Sequence, residues 1–139
     1  MPRAVICLHG GNRYAIPLSA VRRVTEMGVV SRVPKAPPAL LGVMNQQGRV
    51  ACLVDLGPLV GLKPRPARPE GKVVMLQRLR GEVGLYVSEV AGIQELPSEA
   101  RELPEGAGAA TAQVESAEGP VKLIDPEQLQ RAIDNLVEA

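Results

Sequence analysis

Two short apolar runs, residues 40–44 and 50–54, are separated by a turn segment that contains Asn45 and Gly48. Each run has the length of a β-strand, and Asn and Gly are the residues that most readily take the positive φ angles of tight turns. Gly42 lies inside the first run, which predicts a bulge or a close approach of another backbone segment. The pattern predicts a β-hairpin at the centre of the chain.

Further strand-length runs recur at intervals of roughly 8 to 12 residues, the spacing of small barrels and sandwiches. The predicted strands are residues 4–8, 13–16, 21–27, 72–79, 82–87, 90–96, 111–116 and 121–124, with an extended connector at 29–33. Residues 63–71 are too rich in proline and charge for a strand interior and are predicted to form an exposed loop. Residues 97–110 are predicted to form a mobile loop, because they combine Pro, Gly, Ala and Glu without periodicity.

Residues 125–137 carry helix signals. Asp125 is placed as the N-cap and Pro126 at the first helical position, and apolar residues then recur at helical spacing over about 126–137. The stripe consists of Leu129, Ala132, Ile133, Leu136 and Val137. The residues alone therefore predict an all-β chain, possibly a barrel, with a C-terminal helix that packs on the sheets or on a partner.

Composition limits the core and the compartment. The 139 residues include two Tyr and no Phe or Trp, so aliphatic side chains must fill the interior. The N-terminus lacks the pattern of a signal peptide, and no apolar run reaches the length of a membrane span. We expect a cytoplasmic protein without direct membrane insertion, in which Cys7 and Cys52 lie within apolar strands as free thiols.

Charge is distributed unevenly along the chain. Residues 1–80 carry 13 Lys and Arg against three acidic residues, a net charge of +10, whereas residues 81–139 carry three against 12, a net charge of −9. Such polarity either steers association with a partner or joins two faces within the fold. Nucleic-acid binding is disfavoured, because single-strand binders of barrel type stack bases on exposed aromatic rings.

Five segments resemble, in order, those of the CheW family of chemosensory adaptors. They are residues 14–24, residues 30–34 ending in Pro34, the hairpin motif Gly42-Val43-x-Asn45-x-x-Gly48, residues 54–56, and residues 83–90. The resemblance covers nearly the whole chain and implies a single CheW-like domain over 1–139. It implies two small Src-homology-3-like five-stranded barrels that share a core. Two positions depart from the family: Gln47 stands where Arg is usual, and Ser88 where Asp is frequent.

The resemblance implies a non-enzymatic adaptor that couples chemoreceptors to a CheA-type histidine kinase, at receptor arrays near the membrane. The partners would be the regulatory domain of the kinase and the cytoplasmic tip of a chemoreceptor. The motif assigns receptor binding to Val30, Arg32, Val33, Asn45 and Gln47. It assigns kinase binding to Gly42, Val43 and Leu56, which are as readily explained as core residues.

Catalysis and metal binding find little support in the sequence. His9 is the only histidine, so any Ser-His-Asp or Cys-His arrangement must use it. Cys7 shares a strand face with His9, but His9 adjoins Gly10-Gly11 and is predicted to be an exposed residue at a strand end. One His and two Cys without metal-ligand spacing predict no metal site, and no nucleotide motif predicts a cofactor.

One alternative function stays open. The chain could be a free-standing barrel that binds another ligand and regulates another pathway, having diverged from receptor coupling together with the loss of the arginine at position 47. Both hypotheses describe a binding module without its own chemistry.

Overall fold

A computed structural model describes residues 3–78 and 81–137, which form twelve strands and two α-helices. The strands are β1 (Arg3–His9), β2 (Asn12–Pro17), β3 (Val21–Glu26), β4 (Val30–Ser31), β5 (Leu40–Gln46), β6 (Arg49–Asp55), β7 (Lys72–Leu76), β8 (Glu82–Val87), β9 (Glu89–Glu95), β10 (Arg101–Glu102), β11 (Ala110–Ser116) and β12 (Gly119–Ile124). The helices are α1 (Leu56–Leu59) and α2 (Pro126–Val137), and a 3-10 turn spans Leu18–Ala20.

The strands form two sheets of six. The first has the order β10-β11-β12-β2-β1-β9 and the second the order β3-β7-β8-β6-β5-β4. All pairings are antiparallel except β12 with β2 and β6 with β8. The expected fold class is confirmed, with one difference in strand number: each sheet has five longer strands and a two-residue strand at one edge.

Strand alternation divides the buried side chains between three clusters. On β8, Val83, Leu85 and Val87 face a central cluster that both sheets and α2 share, whereas Tyr86 faces a smaller cluster within the second sheet. Strand β1 likewise divides its residues between the shared cluster and a small cluster in the first sheet. Because successive side chains point to opposite faces, one strand serves two cores. The shared core expected from the family resemblance is therefore present.

The central hairpin is confirmed, but its turn is tighter than the sequence suggested. Strands β5 and β6 are joined through Gln47 and Gly48, which have φ angles of 52° and 83°. Positive φ at both central residues is the geometry of a two-residue hairpin turn of type I′. The positive φ expected at Asn45 is wrong: its side chain instead accepts a hydrogen bond of 3.0 Å from the Gly48 N–H.

Gly42 confirms the predicted bulge and close approach. The β5–β6 register shifts between Leu40 and Gly42, and Gly42 has a φ of 151°. A Cβ atom there would lie 2.3 Å from the carbonyl oxygen of Ser31 in β4. Glycine therefore allows the short strand β4 to pair at the edge of the sheet.

Both helices begin at an aspartate. Asp125 accepts hydrogen bonds from the N–H groups of Glu127 and Gln128, which confirms the predicted cap of α2. Leu129 and Ile133 are fully buried in the shared core, with Ala132 and Leu136 packed against it, whereas the side chain of Val137 lies outside the described residues. The four-residue helix α1 was not predicted, since its Leu-Gly-Pro-Leu sequence resembles a loop.

The loop predictions hold in part. Residues 63–71 have no strand or helix and are mostly exposed, as expected. Residues 97–110, by contrast, contain β10, which pairs with β11, and Ala109, whose N–H donates to the carbonyl of Leu59. The predicted strand 72–79 ends at Leu76, and its last residue, Leu79, lies outside the described residues together with Arg80 of the predicted turn.

Ion pairs join the basic and acidic parts of the chain. Glu82 pairs with Arg22 at 2.8 Å and with Arg49 at 3.5 Å, and Arg78 pairs with Asp134 on α2 at 2.8 Å. Each pair joins the half of positive charge to the half of negative charge. Part of the uneven charge is therefore used within the fold, which is one of the two expected explanations.

Candidate functional site

A groove with a volume of about 530 Å³ lies beside strand β4. One side is formed by β4, the connector after it and the first two residues of β5, and the other by residues 66–69 of the loop 63–71. Its apolar residues include Met27, Val30, Leu41 and Leu53, all of which belong to or pack against the cluster within the second sheet. We call this surface the β4 groove.

Basic side chains border the β4 groove. Arg32, Lys35 and Arg68 line it and form no ion pair with any described residue. Lys35 has a φ of 61°, because the connector turns sharply there. An apolar surface with an unneutralised basic border favours a partner with apolar side chains flanked by carboxylates.

The structure brings three of the five candidate receptor residues together. Val30, Arg32 and Val33 all line the β4 groove, and Val33 is 39% exposed. Asn45 and Gln47 do not line it and are exposed at the end of the β5–β6 hairpin. The two groups are nevertheless close in the sheet, because Val30 pairs with Met44, the residue before Asn45.

The three candidate kinase residues occupy different environments. Gly42 is buried in β5 next to the edge strand β4, and Leu56 is fully buried in the shared core. Val43 is half-buried in the same sheet. A side chain with no exposed surface contributes to the fold rather than to a docking surface, so Val43 is the member of this group that a partner can reach.

The loop wall of the β4 groove is held by two backbone hydrogen bonds. The N–H of Arg65 donates to Asp55 Oδ2 at 3.3 Å, and the N–H of Arg68 donates to Tyr86 Oη at 2.9 Å. Ala67 packs against the buried cluster of the second sheet. The sequence analysis did not identify Asp55 and Tyr86 as anchors of this wall. The one local pattern that could have indicated Asp55 is its position as the N-cap of α1.

His9 is a further anchor, and its predicted exposure is wrong. The residue is only 5% exposed, and its Nε2 lies 2.9 Å from Asp55 Oδ1. Its Nδ1 accepts the backbone N–H of Ser88 at 3.2 Å, so the ring proton must be on Nε2 and is donated to Asp55. His9 thus joins β1 of the first sheet to the end of β6 in the second.

Ser88, His9 and Asp55 have the order of a Ser-His-Asp triad but not its hydrogen bonding. The Ser88 hydroxyl oxygen lies 3.3 Å from His9 Nδ1, whose lone pair already accepts the backbone N–H of Ser88. A general base needs that lone pair for the proton of the nucleophile. The arrangement therefore leaves no free general base. The three residues instead join the two sheets through hydrogen bonds.

The thiols and the possible metal ligands give no reactive centre in the part of the chain that the structure describes. Both cysteines are free, as expected. Burial raises the pKa of the Cys7 thiol to about 12, which keeps it protonated and unreactive at neutral pH. Among the described residues, His, Cys, Asp and Glu form no cluster able to hold a metal ion.

No helix among residues 3–78 and 81–137 is long and apolar enough to cross a membrane. The structure instead presents two β-sheets around a shared core, with an apolar groove beside an edge strand. An apolar groove of this kind is a common form of binding surface.

The family of this module is established by comparison with known proteins. The model of the CheW-like domain family matches residues 3–133. The chain therefore belongs to the CheW-like domain family, as the sequence motifs suggested.

Several known proteins are similar in sequence to part of the chain. The chain is 29% identical over 84 residues to a probable chemotaxis protein CheW of Rhizobium etli, covering 60% of this chain and 54% of the relative. It is 30% identical over 88 residues to protein PilI of Pseudomonas aeruginosa, covering 63% and 49%. With chemotaxis protein CheW of Bacillus subtilis it shares 27% identity over 105 residues, covering 75% and 67%. The chain spans about half the length of the first two relatives.

A solved structure shares the fold. The crystal structure of scaffolding protein TtCheW from Thermoanaerobacter tengcongensis superposes with a TM-score of 0.76 at 17% identity. The superposition covers 90% of this chain and 85% of the other. At this identity the likeness shows the fold alone.

Proposed function

We propose that this chain is a non-enzymatic adaptor that couples chemoreceptors to a CheA-type histidine kinase. Membership of the CheW-like domain family supports the assignment to the class of adaptor proteins. Two relatives are named chemotaxis proteins and the structural neighbour is named a scaffolding protein, which supports the pathway and the role. The adaptor would act in the cytoplasm, at receptor arrays next to the membrane.

The single observation that carries the proposal is the β4 groove. Val30, Arg32 and Val33 were assigned to receptor binding from the motif, and they meet in one concave surface with an apolar floor. The cytoplasmic tip of a chemoreceptor is the proposed occupant. Apolar side chains of the tip would contact Val30 and Val33, and acidic side chains would contact Arg32 and Lys35.

The hairpin residues Asn45 and Gln47 extend the proposed receptor surface beyond the groove. Both are exposed, and Gln47 is the first of the two turn residues. Gln47 is neutral where the family usually has Arg, which favours the second candidate function, a binding module that has diverged from receptor coupling. The two candidates differ in whether a receptor tip binds at all.

The proposed mechanism is positional. The adaptor would hold the receptor tip on the β4 groove while another surface, which includes Val43, contacts the regulatory domain of the kinase. A change in the receptor can then shift the populations of kinase states, because the complex of receptor and adaptor binds each kinase state with a different affinity. The hydrogen bonds from the N–H groups of Arg65 and Arg68 to the second sheet support such a role, because they hold the loop wall of the groove in place.

Two valines of equal exposure provide the test. Val33, in the β4 groove, is 39% exposed, and Val24, on the opposite edge strand β3, is 40% exposed. We expect Val33→Asp to weaken binding of a receptor-tip fragment by about tenfold or more, measured by interferometry, because it places a charge in an apolar contact. Val24→Asp should bind like the wild type. Equal affinities for all three proteins would remove the groove from the receptor site, and no binding by the wild type would favour the diverged module.

A further inference from the structure

A second cavity, of about 570 Å³, adjoins the link formed by His9, Asp55 and Ser88. Its lining comes from three parts of the chain: residues 9–11 in the β1–β2 turn, residues 65–71 of the loop, and Tyr86 with Ser88 at the end of β8. Its volume lies within the range of roughly 300 to 1,000 Å³ that is usual for small-molecule sites. We call it the β8 cavity.

The β8 cavity contains two cationic side chains without a protein partner. Arg65 and Arg68 line it, and neither guanidinium group forms a hydrogen bond or ion pair with a described residue. Glu70 is the one acidic residue of the lining. The Asp55 carboxylate, next to this lining, already accepts hydrogen bonds from His9 and from the N–H groups of Gly57 and Arg65. Within the lining itself, two cationic side chains therefore stand against one carboxylate.

The backbone that carries these arginines is held in place. Its N–H groups at positions 65 and 68 are bonded to Asp55 and to Tyr86 Oη. The Tyr86 ring meets the buried His9 ring edge-on, with a centroid distance of 5.7 Å and an interplanar angle of 84°. Such a frame fixes the start of both side chains before a ligand arrives, which lowers the entropic cost of binding.

A neutral donor completes the lining. Ser88 is exposed, and its hydroxyl group lies beside His9 Nδ1, which already accepts the backbone N–H of the same residue. The hydroxyl hydrogen is therefore available to a ligand. Two guanidinium groups and a hydroxyl donor match the acceptor oxygens of phosphate and carboxylate groups.

We propose that the β8 cavity binds a small oxyanionic molecule, through a phosphate or carboxylate group held by Arg65 and Arg68 with Ser88 as a further donor. The site is separate from the proposed receptor contacts at Val30, Arg32 and Val33, although Arg68 lines both surfaces. The proposal does not depend on the adaptor function.

The test is a titration of the full chain with inorganic phosphate and, separately, with succinate, followed by amide NMR shifts at an ionic strength held constant with KCl. We expect saturable shifts at residues 9–11, 65–71 and 86–88. Arg65→Gln should weaken binding about tenfold or more, because the charge-assisted hydrogen bond from the guanidinium group to the anion is lost. The hydrogen bond from the backbone N–H of residue 65 to Asp55 remains. Ser88→Asp should weaken binding further, since it places a carboxylate in the cavity.

The matched control is Arg101→Gln, which removes an exposed arginine on β10, away from the cavity lining. It should bind like the wild type. Saturation with phosphate alone or with succinate alone would support the proposal and identify the preferred group. The absence of saturable shifts with both anions, or equal affinities of the wild type and Arg65→Gln, would overturn it.

Discussion

At the scale of single residues, Asp55 connects more of the structure than any motif suggested. Its carboxylate accepts from His9 of the other sheet, from the N–H of Gly57 at the start of α1, and from the N–H of Arg65 in the loop wall. The residue is 1% exposed. A buried carboxylate with three donors is stable, but removing it leaves all three donors unsatisfied.

The aspartate caps of the two helices allow this to be tested by comparison. We expect Asp55→Ala to lower the free energy of unfolding by about 2 to 4 kcal/mol, because the cap, the sheet-to-sheet link and the loop contact are lost together. Asp125→Ala removes only the cap of α2 and should cost about 1 kcal/mol. Urea melts measure both. Equal losses would mean that Asp55 acts as a helix cap alone.

The two glycines of the central hairpin also make different demands. Gly42→Ala should destabilise the protein by about 3 kcal/mol or more, since its Cβ would overlap the Ser31 carbonyl and its φ of 151° is unfavourable for other residues. Gly48→Ala should cost only about 1 kcal/mol, because the space around it is open and only its φ of 83° is strained. Thermal or urea unfolding of both variants measures the difference. A larger loss for Gly48→Ala would contradict the observed pairing of β4.

At the scale of elements, the β5–β6 hairpin combines a structural and a proposed binding role. Its base is buried, and its end presents Asn45 and Gln47 to solvent. Residue 47 has a left-handed backbone conformation, and its strain is similar for any residue that has a Cβ atom. The side chain can therefore change without a change in the fold.

We expect Gln47→Arg to tighten binding to a generic receptor tip by about tenfold without a change in melting temperature. A charge-assisted hydrogen bond contributes roughly 1.5 to 3 kcal/mol, against about 1 kcal/mol for a neutral one. Interferometry with the wild type and the variant measures the gain, and a thermal melt provides the stability control. Equal affinities would remove position 47 from the receptor site.

At the scale of the whole molecule, two sheets share one core, and this sharing fixes their relative position. Residues of β1, β2, β6, β7, β8, β11, β12 and both helices meet in the central cluster. Ion pairs from Glu82 and Asp134 join parts of the chain with opposite charge. A rigid body of this kind suits the proposed role of holding two partners in a constant relation.

If the adaptor function holds, the full chain should bind the isolated regulatory domain of a CheA-type kinase with micromolar affinity. We expect the affinity to depend weakly on salt, because the proposed contact is mainly apolar. Titration calorimetry at two salt concentrations measures affinity and salt dependence together. No heat at either concentration, with both proteins folded, would argue for the diverged binding module, and a steep salt dependence would indicate a contact made by charges.

Local sequence patterns determined most of the strands, the β5–β6 hairpin, the cap of α2 and the need for glycine at position 42. Each of these features depends on residues within a few positions of one another, where periodicity and turn chemistry act directly. The family resemblance, and not a local pattern, grouped Val30, Arg32 and Val33 with Asn45 and Gln47 as candidate receptor residues. Helix α1 was not predicted, because a single helical turn is too short to show a hydrophobic periodicity.

Only the tertiary structure decided the burial of His9, the link to Asp55 and Ser88, and both concave surfaces. His9 and Asp55 are 46 positions apart, and His9 and Ser88 are 79 apart. Contacts across such separations follow from sheet order and from the parallel pairing of β6 with β8, which no local pattern specifies. A histidine beside two glycines looks like an exposed turn residue until a second sheet covers it.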